Sequence, residues 1–105
     1  MEIEHLTDEN FSEKAKRQNS VVLIDFFATW CGPCRMQTPI LERASKKLEG
    51  VEIYKVDVDE CEKSAKEFGI MSIPTLVLLK DGNEVAKNVG LLSEEELVDF
   101  VNSNK

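Results

Sequence analysis

The sequence predicts an α/β protein, a mixed β-sheet flanked by helices. Three features carry that prediction. The run Val21 to Ala28 is apolar without alternation except at Asp25, the pattern of a central strand buried on both faces. Segments with helical spacing follow strand-like ones, which supplies the crossovers that neighbouring strands need. Lys80-Asp81-Gly82-Asn83 is a turn signal between two strand-like runs and predicts a closing hairpin. At 105 residues the chain fits one domain, 1–105, able to bury a core without metal or structural disulfides.

Taken in order, Met1 to Leu6 can form a short edge strand. Thr7 or Asp8 then caps a helix through about Gln18 that turns Phe11 and Ala15 inward. After the strand Val21 to Ala28, a helix beyond Cys34 carries Met36, Ile40, Leu41, Ala44 and Leu48 on its core face and ends near Gly50. Pro39 kinks it by removing a hydrogen bond, while Arg35 and Gln37 read as a solvated face. Val51 to Asp59 is the next strand, and Asp59 is placed to cap a helix from about Glu60 to Phe68 that Gly69 ends. Pro74 sits where a proline belongs, at the start of the strand Leu76 to Leu79, whose hairpin partner is Glu84 to Val89. Ser93-Glu94-Glu95-Glu96 is a capping box for a last helix that packs through Leu97, Phe100 and Val101.

The net charge of −7 argues against a nucleic-acid or anionic-membrane surface, because phosphate binding needs clustered Lys and Arg. No apolar run approaches transmembrane length, and the first residues lack a secretory pattern, so a cytoplasmic location is expected. Three cysteines form no disulfide framework, in keeping with a functional pair in a reducing compartment. A small monomer is the default expectation.

The chemistry centres on Trp30-Cys31-Gly32-Pro33-Cys34, placed where the apolar strand gives way to a helix. Cysteines three apart on one helical face lie close enough to bridge, so a reversible disulfide is geometrically available. At the helix N-terminus Cys31 meets unpaired N–H groups that favour its thiolate, which makes it the nucleophile. Cys34, one turn in and shielded, suits the attack on a mixed disulfide and is the resolving thiol. Pro33 stiffens the first turn, and Gly32 leaves the approach to Cys31 open. The alternatives are half of a zinc site or an ordinary buried pair. Zinc needs about four ligands, and beyond the pair the chain offers only Cys61, His5 and carboxylates in no second cluster, so no metal is expected.

Two further residues stand out. Asp25 interrupts a buried strand, and desolvation there would raise its pKa toward the range of a proton carrier; the alternative is an Asp bonded to local backbone. Cys61, at a helix start, is pulled down by the dipole and up by Asp59, Glu60 and Glu62, and the sequence does not rank these effects.

These motifs resemble the thioredoxin family nearly end to end, through Asp25, Trp30 to Cys34, Pro39, Lys55, Asp59, Ile73-Pro74-Thr75 and Gly90. The resemblance implies a thioredoxin fold, with a central mixed five-stranded sheet and four α-helices, and a protein-disulfide reductase. It implies that Asp25 moves protons to and from Cys34, that Lys55 neighbours Asp25 across paired strands, and that the Ile73–Pro74 bond is cis and faces the cysteines. Ile73 would then offer its backbone to an extended substrate, Gly90 would admit the substrate chain, and Trp30 would form an apolar platform beside Cys31. No nucleotide-binding motif is present, so no bound cofactor is expected. Electrons would come from a partner, a thioredoxin reductase by analogy, with a ferredoxin-linked donor equally compatible. The chain departs from the family pattern at Phe27, where a second tryptophan is usual, and at Thr29 and Arg35.

Rival functions are an oxidant or isomerase on the same fold, a binding module that recruits partners without chemistry, and a metal-binding module. Gly-Pro between the cysteines resembles the reducing branch.

Overall fold

A computed structural model of the chain describes residues 2–105. In chain order the elements are α1 (Phe11–Ala15), β1 (Val21–Phe27), α2 (Gly32–Ser45), β2 (Glu52–Asp57), α3 (Glu62–Glu67), β3 (Thr75–Lys80), β4 (Asn83–Val89) and α4 (Glu94–Asn104). The sheet has the order β2-β1-β3-β4. β1 runs parallel to β2 and antiparallel to β3, and β3 and β4 form the expected hairpin.

The sheet has four strands among the described residues, not five. The first expected strand shrinks to one bridge, His5 with Lys55, flanked by hydrogen bonds from Leu6 N to the Lys55 carbonyl and from Lys55 N to the Glu4 carbonyl. Met1 lies outside the described residues. The segment is held instead by Ile3 and Leu6, which enter the cores on opposite sides of the sheet.

Strand alternation explains those two cores. Val22, Ile24 and Phe26 face Phe11, Ala15, Cys61 and Phe68 on the α1 and α3 side. Leu23, with Leu76 and Leu78 of β3, packs against Leu41 and Ala44 of α2 and Leu97 and Val101 of α4. Asp25 alternates with Leu23 and so points to the α2 side, and its register partner on β2 is Lys55. The hairpin turns on Asp81 and Gly82, both at positive φ (53° and 83°), as a two-residue turn of this kind requires.

Several local expectations change. α1 is shorter than the span to Gln18; Thr7 and Asn10 bond each other's N–H with their side chains ahead of it. Asp59 does not cap α3. Asp8 does so from across the molecule, accepting from Lys63 N, Ser64 N and Ser64 Oγ. The Ser64 hydrogen bond is the main reason that the Asp8 carboxyl sits below its ordinary value. Met36 is 59% exposed rather than core, and Gln37 is fully buried rather than solvated. The Gln37 amide clamps the segment before α4, donating to the Leu92 carbonyl at 3.1 Å and accepting from Leu92 N at 3.0 Å. Both polar ends are satisfied, so its burial leaves no unpaired group on the amide. The Ser93 capping box forms as read, with Ser93 and Glu96 bonded reciprocally.

Candidate active site

β1 delivers the chain to the site and α2 carries it away. After Phe27 the backbone turns through Ala28 to Trp30, and Cys31 N closes that turn on the Ala28 carbonyl at 3.2 Å. Cys31 is the N-cap of α2, with Pro33 in the first turn, where its missing N–H costs nothing. Its sulfur accepts from Cys34 N at 3.2 Å. That N–H is the group that solvates a thiolate when no bridge is present. Cys31 and Cys34 are joined as a disulfide with Cα atoms 5.2 Å apart. Pro39 lies inside α2, which continues through it to Ser45.

The Ile73–Pro74 peptide bond is cis. Cys31 Sγ lies 3.9 Å from the Ile73 carbonyl, so the segment before β3 faces the sulfur pair. Gly90, at φ +103°, donates its N–H to the Pro74 carbonyl at 2.8 Å. Trp30 stands 68% exposed, with its indole N–H donated to Asp59 Oδ2 at 2.8 Å. The ring lines a shallow depression with Val58, Ile70, Met71, Ser72 and Ile73. Met71, almost wholly exposed, was not singled out from the sequence, and nothing in its local pattern distinguishes it from an ordinary loop residue. Arg35 is exposed yet engaged, because its guanidinium holds the Thr29 carbonyl and ties the active loop to α2.

Asp25 and Lys55 are register partners on β1 and β2, and both are buried. Asp25 has no exposure, and neither of its carboxylate oxygens has a hydrogen-bond partner. Burial pushes its carboxyl up to about 7, with the Lys55 ammonium pulling the other way. Lys55 is buried and not the solvent-reaching strand lysine that is the commoner case. Its ammonium sits 4.3 Å from the centre of the Phe27 ring and donates to Thr38 Oγ1 at 2.5 Å. A depression of about 250 Å³ is lined by Lys55 together with Phe27, Ala28, Thr29, Cys34, Arg35 and Thr38. Thr38 was missed in the sequence, although its place one turn after Cys34 on the same helix was there to be read.

Cys61 is free and buried, and its thiol donates to the Leu6 carbonyl. Burial pushes that thiol up, reinforced by Asp8, Asp57 and Glu60. Among the described residues no group of three or more His, Cys, Asp or Glu is placed to hold a metal ion, and no helix is long and apolar enough to cross a membrane.

Comparison with known proteins decides the family. The family model described as Thioredoxin matches residues 2–103. The chain belongs to the thioredoxin family. It is 48% identical over 99 residues to a thioredoxin of Chlamydia pneumoniae, covering 94% of this chain and 95% of that relative. It is 45% identical over 105 residues to a thioredoxin of Bacillus subtilis (strain 168), covering 99% of each chain. A thioredoxin of Staphylococcus haemolyticus (strain JCSC1435) matches equally well, at 45% over 105 residues and 99% of each. With the Cys31–Cys34 pair at the head of α2, the thioredoxin-family chain is a thiol-disulfide oxidoreductase that reduces disulfides through a redox-active dithiol.

Proposed function

We propose that this chain reduces disulfides in a range of proteins, with Cys31 as nucleophile, Cys34 as resolving thiol and Asp25 as the carrier of protons to and from Cys34. The supporting observation is the N-cap position of Cys31, its sulfur on the Cys34 N–H and close to the Ile73 carbonyl. In the reduced protein the Cys31 thiolate attacks one sulfur of a substrate disulfide, and the substrate S–S bond breaks as a mixed disulfide forms. Cys34 passes its proton to the Asp25 carboxylate and attacks Cys31 Sγ. That step forms the Cys31–Cys34 bridge and releases the second substrate thiolate, which takes up a proton. Two electrons have moved from the protein to the substrate.

Lys55 supports this step from beside Asp25. Trp30, Gly32, Pro33, Ile73, Pro74 and Gly90 surround the sulfurs and form the substrate-binding rim, with the Ile73 backbone available to an extended chain. Main-chain recognition suits varied sequences. The chain acts as one domain over 1–105 and as a monomer, a reading supported by cores on both sheet faces that are covered by its own helices. Its place is the cytoplasm, which fits a buried free Cys61 that needs no partner, and neither nucleic acid nor membrane is a partner of so acidic a chain.

Turnover draws electrons from a thioredoxin reductase. Insulin reduction driven by NADPH and an NADPH-linked thioredoxin reductase tests this, with a ferredoxin-linked enzyme run in parallel. One of the two should support many turnovers per molecule. Failure of both, while dithiothreitol still drives insulin reduction through the chain, would overturn the reductase assignment.

A further inference from the structure

Asp25 is a buried acid with no hydrogen-bond partner, while the cation on its register partner is bonded elsewhere. Lys55 on β2 and Asp25 on β1 share the α2 side of the sheet, close enough for the ammonium to act on the carboxyl. The ammonium is nevertheless held by two other groups. Thr38 Oγ1 accepts from it at 2.5 Å, and the Phe27 ring lies under it at 4.3 Å. The Thr38 hydroxyl is itself oriented, because it donates back to the Cys34 carbonyl one turn earlier at 3.4 Å. An oriented acceptor on a helix, facing a lysine on a strand, fixes where the cation sits.

We propose that Thr38 is a positioning residue whose hydroxyl, aided by the Phe27 ring, holds the Lys55 ammonium off Asp25 and so sets the pH at which that buried carboxylate takes up a proton. The idea rests on Asp25 as proton carrier for Cys34. A contact ion pair would favour the charged carboxylate and make it a weaker base. With the ammonium held at Thr38, the carboxylate feels its field without the bond. The groups that face Asp25 are few. β2 contributes Lys55 and β3 the uncharged Leu76 in register, and α2, on that side of the sheet, carries Cys34 and the Thr38 that holds the Lys55 ammonium.

The test follows the Asp25 carboxyl ¹³C shift against pH in the oxidised full chain, where neither active-site thiol titrates. In Thr38→Val the ammonium loses its acceptor and turns to the unpartnered carboxylate, so the Asp25 midpoint should fall by about one pH unit. Thr38→Ser keeps the hydroxyl and should keep the wild-type midpoint. Lys55→Met should raise the midpoint, and adding Thr38→Val to Lys55→Met should move it no further. An unchanged or raised midpoint in Thr38→Val, or an equal fall with and without Lys55, would overturn the proposal. A second readout separates this idea from the reading on which it rests. The rate of mixed-disulfide resolution is measured against pH in the reduced protein. In Thr38→Val its acid limb should move down with the carboxyl midpoint. If the midpoint moves and the rate profile does not, the role of Thr38 stands and Asp25 is not the carrier.

Discussion

Replacing Cys31 with serine is expected to lower the rate of protein-disulfide reduction by at least about a thousandfold, since it removes the proposed nucleophile that forms the covalent intermediate. Cys34→Ser should behave differently. Cys31 still attacks, but nothing resolves the product, so the protein accumulates as a mixed disulfide with its substrate. Intact mass spectrometry after mixing each reduced variant with a disulfide-bonded peptide distinguishes the two outcomes. The Cys34→Ser sample should carry the peptide adduct and the Cys31→Ser sample should not. The asymmetry follows from position, because Cys31 caps α2 at the apolar rim beside Ile73 whereas Cys34 lies one turn in. Equal trapping by both variants would mean that either sulfur can lead the attack.

Asp25→Asn should stabilise the oxidised protein at pH 8 by roughly 2–4 kcal/mol, and by little below pH 4. The folded chain holds this carboxyl at about 7, raised from 3.8 by burial. Between those values the folded state keeps a proton that the unfolded state has lost, so stability falls as pH rises through the window. Above it the cost of the buried charge is complete. Urea titrations of both proteins at pH 4 and pH 8 measure the difference. A gain of the same size at both pH values would show that the carboxyl does not titrate in that window. On the proposed role of Asp25 as proton carrier for Cys34, the same substitution should slow mixed-disulfide resolution about a hundredfold near neutral pH. Stability and speed therefore oppose each other at this residue.

Much of the site was legible because its chemistry is local. The Cys31–Cys34 spacing, the proline in the first helical turn and the preceding apolar strand lie within one short stretch, and each depends on neighbours in sequence. The hairpin turn at Asp81-Gly82 and the Ser93 capping box are local in the same sense. What the sequence missed depends on partners far along the chain. Asp8, not Asp59, caps α3 because the first segment crosses beneath that helix, leaving Asp59 free to accept from Trp30. Gln37 reads as surface until Leu92 supplies a donor and an acceptor for its amide. Helical spacing assigned Met36 to the core, but α2 turns it outward near the active loop. The first strand failed because its backbone makes only a single bridge beside Lys55. Thr38 is the clearest case: its hydroxyl has meaning only once β2 brings Lys55 beneath α2.

The most direct measurement is a redox titration read through the single tryptophan. Trp30 precedes Cys31 and stands exposed on the same loop, so its fluorescence should follow the opening of the bridge. The protein is equilibrated against a graded series of thiol-disulfide ratios and the emission recorded, with thiol content counted in parallel. One reversible two-electron transition at a potential well below the about −180 mV of protein disulfide isomerase is the expected result. A midpoint at or above that value, or no reversible transition in either signal, would contradict a protein that works by donating electrons from Cys31 and Cys34.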